Sequence, residues 1–140
     1  MLPLKLVIDT NVVVSGALKP NGLERTALVF ALTRPATLFV SEEILAEYKE
    51  VLSRPELRIS ANERKKLLNV ISEHSRMVVP ERKLAVCRDP DDDIFLECAE
   101  TARADYMITG NQKHFPAYWQ ATKIINAREL LEIISPHLPL

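Results

Sequence analysis

Short apolar runs alternate along the chain with longer segments in which apolar residues recur every three or four positions. Each run consists of β-branched and other apolar side chains bounded by polar or turn residues, which is typical of a buried strand. The runs predict strands at residues 5–8, 37–40, 76–79, 106–108 and 123–125.

The intervening segments have the period of a helix. Residues 23–32 carry apolar side chains at helical spacing, and Ser41 followed by Glu42 and Glu43 begins a second helix with a cap and favourable first-turn acids. Pro55 ends that helix. Further helices are predicted over residues 60–74, where Ser60 and Glu63 have capping-box spacing, over 95–102 and over 127–134.

Strands that alternate with helices favour a mostly parallel sheet covered by helices on both faces, which is an α/β fold of three layers. We expect a sheet of about five strands in one domain spanning residues 1–140, because this length suits a single compact core. In such sheets, binding sites form beyond the carboxyl ends of the strands.

Composition narrows the classes of function. A net charge of −1 gives no overall attraction to a polyanion, so nucleic-acid binding would require a local basic patch or a metal ion. No apolar run approaches a membrane span and no leader precedes the first strand, so we expect a cytoplasmic protein without a membrane segment. Cys87 and Cys98 are too few for a disulfide framework, and we interpret Cys98 as a core thiol.

Asp9 is the most informative residue, because it ends the first apolar strand and is followed by Thr10 and Asn11. A carboxylate in an apolar setting is unfavourable unless hydrogen bonds or a cation compensate its charge. Asp9 is therefore either a metal ligand with polar neighbours or, together with Thr10, the cap of the next helix. The residues alone leave both interpretations open.

Two further acidic features can join Asp9. Glu47 lies at the margin of the apolar stripe of its helix, although a surface glutamate is the simpler interpretation of that residue alone. Residues 89–93 read Asp-Pro-Asp-Asp-Asp directly before an apolar helix. A turn with an N-cap explains one or two of these acids, and the remainder favours a bound divalent cation.

Polar groups also end the predicted strand at 106–108. Thr109 and Asn111 flank a glycine and can bind a ligand or form an ordinary turn, and His114 follows. Parallel strands would bring these oxygen-rich ends to one edge of the sheet. Oxygen ligands suit Mg²⁺ or Mn²⁺ rather than zinc, and such ions promote phosphodiester cleavage.

In this order and at these intervals, the motifs resemble the PIN domain family, in particular PIN proteins related to VapC-type toxins of toxin–antitoxin systems. The resemblance spans nearly the whole chain and rests on residues 7–11, Glu47, residues 89–93 before Phe95-Leu96-Glu97-Cys98-Ala99, and residues 104–111. It implies a PIN fold, a Mg²⁺- or Mn²⁺-dependent single-strand endoribonuclease, a cognate antitoxin as partner and often a homodimer.

The resemblance also implies which residues form the site. The catalytic and metal-binding acids would be Asp9, Glu47 and Asp93, with Asp91 or Asp92 as alternates to Asp93. The supporting polar residues would be Thr10, Asn11, Thr109 and Asn111. Many family members have an aspartate where this chain has Asn111, and some have an acid where His114 stands, so this chain keeps three acids rather than four.

Several interpretations of function stay open at this stage. Arg54, Arg58 and Lys65, in a basic cluster at a helix junction, are candidates for RNA phosphate contacts, with solvated charge as the alternative for each. A catalytically weak PIN domain that binds RNA or protein would fit Asn111 and His114. A phosphotransfer protein is disfavoured, because Asn11 stands where a phosphatase needs a second acid. Neither a Walker loop nor a dinucleotide fingerprint is present.

Overall fold

A computed structural model describes residues 3–137, and these form a six-stranded sheet flanked by helices. The strands are paired in the spatial order β3-β2-β1-β4-β6-β5, and all pairs are parallel except β5 with β6. Their bounds are β1 (Lys5–Ile8), β2 (Thr37–Val40), β3 (Ser75–Met77), β4 (Tyr106–Ile108), β5 (Tyr118–Trp119) and β6 (Thr122–Ile125). The α/β class and the mostly parallel sheet that the sequence predicts are therefore confirmed.

The helices lie between and after the strands, and all except α1 correspond to segments that the apolar period predicts. They are α1 (Thr10–Leu18), α2 (Leu23–Ala31), α3 (Glu42–Leu52), α4 (Ala61–His74), α5 (Asp93–Ala102) and α6 (Ala127–Ile134). Ser41 and Ser60 cap α3 and α4 by accepting backbone N–H bonds three residues on. None of the described helices combines the length and apolar character that a membrane span requires.

Two elements lie outside the predictions. Helix α1 contains three consecutive valines, whose branched side chains weaken helix propensity, yet Val12 and Val13 are buried in the core and packing overrides that preference. Strand β5 is only two residues long and pairs at the edge of the sheet, so it has too few residues to show an alternating pattern. The sheet consequently has six strands where about five were expected.

The order in which strands are added to the sheet changes side at β1. Strands β2 and β3 are added on one side of β1, and the chain then returns to place β4 on the other side. The carboxyl ends of β1 and β4 therefore border a topological switch point, which is where open parallel sheets bind ligands. Asp9 follows β1 and Thr109 follows β4, so both lie at this point.

Helix α3 is anchored beside the same edge. Tyr48 is fully buried and donates its hydroxyl to the backbone carbonyl of Ile8, the last residue of β1. This bond fixes the rotation of α3 about its axis and brings the neighbouring Glu47 to the end of β1.

Candidate active site at the carboxyl ends of the central strands

Asp9 is a buried carboxylate held by two donors. Its side chain is only 6% exposed, and its Oδ2 accepts hydrogen bonds from the Thr109 hydroxyl at 2.7 Å and from the Asn11 amide at 3.1 Å. Burial raises the pKa of Asp9, while the bond from Thr109 lowers it and the charge of Glu47 raises it further. The carboxylate is thus oriented by its donors but retains an unfavourable charge.

The remaining supporting residues tie the two strand ends together. Asn11 accepts the backbone N–H of Gly110 at 3.0 Å, and the Asn111 backbone N–H donates to the Thr109 hydroxyl at 3.0 Å. A Cβ at Gly110 would lie 3.4 Å from Asn11 Oδ1, which is an ordinary van der Waals contact. Asn111 itself is exposed.

Glu47 is half-buried and is held by Thr10, which donates its hydroxyl to Glu47 Oε2. Burial raises the pKa of Glu47, the bond from Thr10 opposes this, and the charges of Asp91 and Asp92 raise it further. Asp9 is therefore one acid of the site, and its neighbour Thr10 positions a second acid, Glu47.

The three acids before α5 differ in what they contact. Asp93 is 4% exposed, and its Oδ1 accepts the backbone N–H groups of Val86 at 3.1 Å and Cys87 at 2.8 Å. Asp92 instead lies 3.6 Å from His114 Nδ1. Burial first, and then the charges of Asp9 and Asp89, raise the pKa of Asp92 to about 6.

Asp92, one of the alternates to Asp93, is the acid whose pKa the charge of Asp9 raises. Asp9, Glu47 and Asp92 interact with one another electrostatically in each pairing. Consecutive residues at a helix start point in different directions, and the two adjacent aspartates accordingly make different contacts: Asp92 lies beside His114, and Asp93 accepts backbone N–H groups of the preceding loop.

Glu97 is a buried acid that the sequence motifs contain but that sequence reasoning did not single out. It is 5% exposed, lies one helical turn after Asp93 and accepts the backbone N–H of Leu84 at 2.8 Å. An acid within the apolar face of α5, four residues from another acid, was the available signal. Together Glu97 and Asp93 hold residues 84–87 against α5.

Within the described part of the chain, the predicted phosphate contacts form no hydrogen bond or salt bridge with the acids of the site. Arg54 forms an exposed ion pair with Glu50 at 3.0 Å, and the charge of Glu47 also reaches it. Arg58 and Lys65 are exposed.

The acids of the site fit a hard divalent cation. Within residues 3–137, no three His, Cys, Asp or Glu side chains are placed as a ready-made metal cage, but Mg²⁺ retains several waters and commonly binds one or two carboxylates. In the same residues, no lysine or arginine forms a salt bridge with Asp9, Glu47 or Asp92. An anionic set of oxygens suits Mg²⁺ or Mn²⁺ rather than Zn²⁺.

Comparison with known proteins places this arrangement in a family. A family model described as PIN domain matches residues 5–113, which include all the acids discussed above. The chain is 33% identical over 114 residues to the uncharacterized protein MJ1680 of Methanocaldococcus jannaschii, covering 79% of this chain and 73% of that protein. Its fold is similar to a chain in the crystal structure of VapBC2 from Rickettsia felis bound to a DNA fragment from their promoter. That similarity has a TM-score of 0.59 at 16% identity and covers 87% of this chain and 98% of the other. Because the family model covers most of its length, the chain belongs to the PIN domain family.

Proposed function

We propose that this chain is a Mg²⁺- or Mn²⁺-dependent endoribonuclease that hydrolyses phosphodiester bonds in single-stranded RNA. The observation that carries the proposal is the electrostatic interaction of Asp9, Glu47 and Asp92 at the switch point, where no lysine or arginine of the described residues forms a salt bridge with them and His114 is the basic group beside Asp92. Carboxylates that raise one another's pKa gain stability when a cation joins them. Membership of the PIN family supports nuclease chemistry at this site.

In this proposal, Asp9 and Asp92 hold the ion and Glu47 lies beside it. When bound, the ion would lower the pKa of a water molecule and offset the charge that develops on the phosphate. Thr109 and Asn11 orient Asp9, and Thr10 orients Glu47, so that these carboxylates do not reorganise during the reaction. Glu47 either contributes an oxygen ligand or accepts the proton of the attacking water.

The proposed biological role is that of the toxin of a toxin–antitoxin pair acting on cytoplasmic RNA. The fold similarity to a VapBC2 chain supports this role, and the sequence resemblance to VapC-type proteins supports it independently. The role implies a cognate antitoxin that covers the acidic edge of the sheet, and a homodimer as the toxin's own assembly.

The second candidate is a PIN domain that binds RNA or protein without cleaving it. Asn111 favours it, because its exposed amide stands where many family members have an acid. RNA cleavage separates the two candidates. A 5′-labelled single-stranded RNA is incubated with Mn²⁺ and the wild-type protein, D9N, D92N or D93N, with EDTA as the metal-free arm.

We expect the wild type and D93N to cleave, and D9N and D92N to be at least 100-fold slower. RNA that stays intact with the folded wild type in Mn²⁺ would exclude the nuclease. Equal activity of D92N and the wild type would remove Asp92 from the site.

A further inference from the structure

A groove opens directly beside the acidic site, between the loop that precedes α5 and the turn that follows β4. Its volume is about 690 Å³, and it is lined by residues 86–89 on one side and residues 113–116 on the other. Asp92 also lines it, so a ligand in this groove, named here the side groove, lies next to an acid of the proposed metal site.

The side groove combines cationic and apolar surfaces with the carboxylates of Asp89 and Asp92. Arg88 and Lys113 are exposed on its two sides, and neither forms a salt bridge with any residue of the described part of the chain. Val86, which is 38% exposed, and the partly exposed Pro116 supply apolar lining, with the buried Phe115 behind them. Two cations without carboxylate partners beside an apolar surface match the phosphate and the base of a nucleotide.

We propose that the side groove binds the nucleotide adjacent to the scissile phosphate, with Arg88 and Lys113 contacting its phosphate groups. This inference rests on the proposed nuclease function and names the path of its substrate. A base reaches the apolar lining only when it is unstacked and unpaired, so the groove selects single-stranded RNA over a duplex. Asp92 marks the end of the path at which the metal would bind.

Both sides of the groove are held by described hydrogen bonds. Asp93 and Glu97 bind the backbone N–H groups of residues 84, 86 and 87, and so fix the loop that carries Arg88. On the other side, backbone N–H bonds from His114 to Asn111 at 2.9 Å and from Phe115 to Gln112 at 3.1 Å fix the turn that carries Lys113. The buried acids of α5 thus act as positioning residues for the phosphate contact.

The side groove is a better phosphate surface than the cluster of Arg54, Arg58 and Lys65. Arg54 already has a carboxylate partner in Glu50, which offsets part of its charge. In contrast, the side groove shares Asp92 with the acidic site itself. An RNA strand that lies in the side groove therefore needs no additional bend or spacer to reach the acids.

The test is RNA binding without turnover. The probe is a 5′-fluorescein-labelled single-stranded 10-mer of mixed sequence, measured by fluorescence anisotropy with D9N in Mn²⁺, between 50 and 200 mM NaCl. R88Q, K113Q and R88Q/K113Q are introduced into D9N. The matched control is K5Q/K123Q, which removes two exposed lysines near the amino-terminal ends of β1 and β6, opposite the carboxyl ends where the acids lie. Thermal melting establishes that each variant is folded.

We expect R88Q/K113Q to raise Kd by about 10-fold or more at 100 mM NaCl and to reduce the salt slope by about 1.4, or roughly 0.7 for each lost phosphate contact. The control should change Kd less than two-fold, and a duplex probe should bind more weakly than the single strand. Equal Kd and slope for R88Q/K113Q and the control would overturn the inference, as would equal binding of duplex and single strand.

Cleavage by the wild type is measured separately, so the two proposals fail independently. If the wild type leaves RNA intact but R88Q/K113Q loses RNA binding, the proposed nuclease function is wrong and the side groove is supported as an RNA-binding site. Normal cleavage together with unchanged binding in R88Q/K113Q would support the nuclease and overturn the groove.

Discussion

Thr109 at the end of β4 donates its hydroxyl to Asp9 at the end of β1, and the two side-chain oxygens lie 2.7 Å apart. The residues are 100 positions apart in the chain, and both are buried. The bond spans the switch point and supplies a donor to a carboxylate whose pKa is raised by burial. The fold and the acidic site are therefore coupled through one hydroxyl group.

Replacing this hydroxyl should weaken both stability and metal binding. T109V keeps the shape of the side chain but leaves a buried carboxylate oxygen with one donor fewer, so we expect a loss of about 1–3 kcal/mol in the free energy of unfolding. T109S retains the donor and is the matched control. Urea unfolding measures stability, and Mn²⁺ titration measures binding. If T109V and T109S behave alike, the hydroxyl does not support Asp9.

The raised pKa of Asp92 predicts that its ionised carboxylate destabilises the metal-free protein at neutral pH. A carboxyl whose folded pKa of about 6 exceeds its ordinary value binds protons more tightly in the folded state. Its contribution to stability is therefore fully present below its ordinary pKa and is lost as pH rises through about 6. D92N should raise the melting temperature of the metal-free protein at pH 7.5 by roughly 2–5 °C. It should have little effect at pH 4. A lower melting temperature for D92N at pH 7.5 would contradict this.

The same carboxyl makes metal binding depend on pH. Protons and Mn²⁺ compete for the acids of the site, so the thermal stabilisation by a fixed Mn²⁺ concentration should be larger at pH 7.5 than at pH 5.5. D9N and D92N should lose most of this stabilisation, whereas E42Q, which alters an exposed acid of α3, should keep it. A stabilisation that is independent of pH would indicate binding at other groups.

Asp93 and Asp92 should respond to substitution in opposite ways. D93N leaves the backbone N–H groups of Val86 and Cys87 with a weaker acceptor in a buried position, so it should destabilise the protein by about 1–3 kcal/mol. E97Q should act similarly through Leu84. Denaturant unfolding in EDTA checks both variants. If D93N is more stable than the wild type, the Asp93 carboxylate is repelled by the neighbouring acids in the same way as Asp92.

Both cysteines should be inert in the native protein. Burial, followed by the neighbouring carboxylate of Asp93, raises the pKa of the Cys87 thiol to about 12, and burial raises that of Cys98 to about 12. Thiolate is the reactive form, so Ellman's reagent at pH 8 should react slowly with the native protein and promptly with two thiols after denaturation. Prompt native reaction would contradict the contact between Cys87 and Asp93.

The sequence predicts those features that depend on local pattern. The β1 strand, the capped helix after Ser41 and the placement of Asp9 at a strand end follow from apolar period and capping chemistry, and the structure has all three. The choice between Asp92 and Asp93 does not follow, because it depends on which backbone N–H groups of residues 86 and 87 reach α5. The side groove depends likewise on two loops that are distant in sequence.

The central claim is that Asp9 and Asp92 bind one divalent ion at the switch point. The most direct measurement is anomalous diffraction at the manganese edge from crystals grown with Mn²⁺. We expect a peak within bonding distance of carboxylate oxygens of Asp9 and Asp92, with Asp93 still bound to the backbone of residues 86 and 87. A peak coordinated by Asp93 instead, or no peak at saturating Mn²⁺, would contradict this claim.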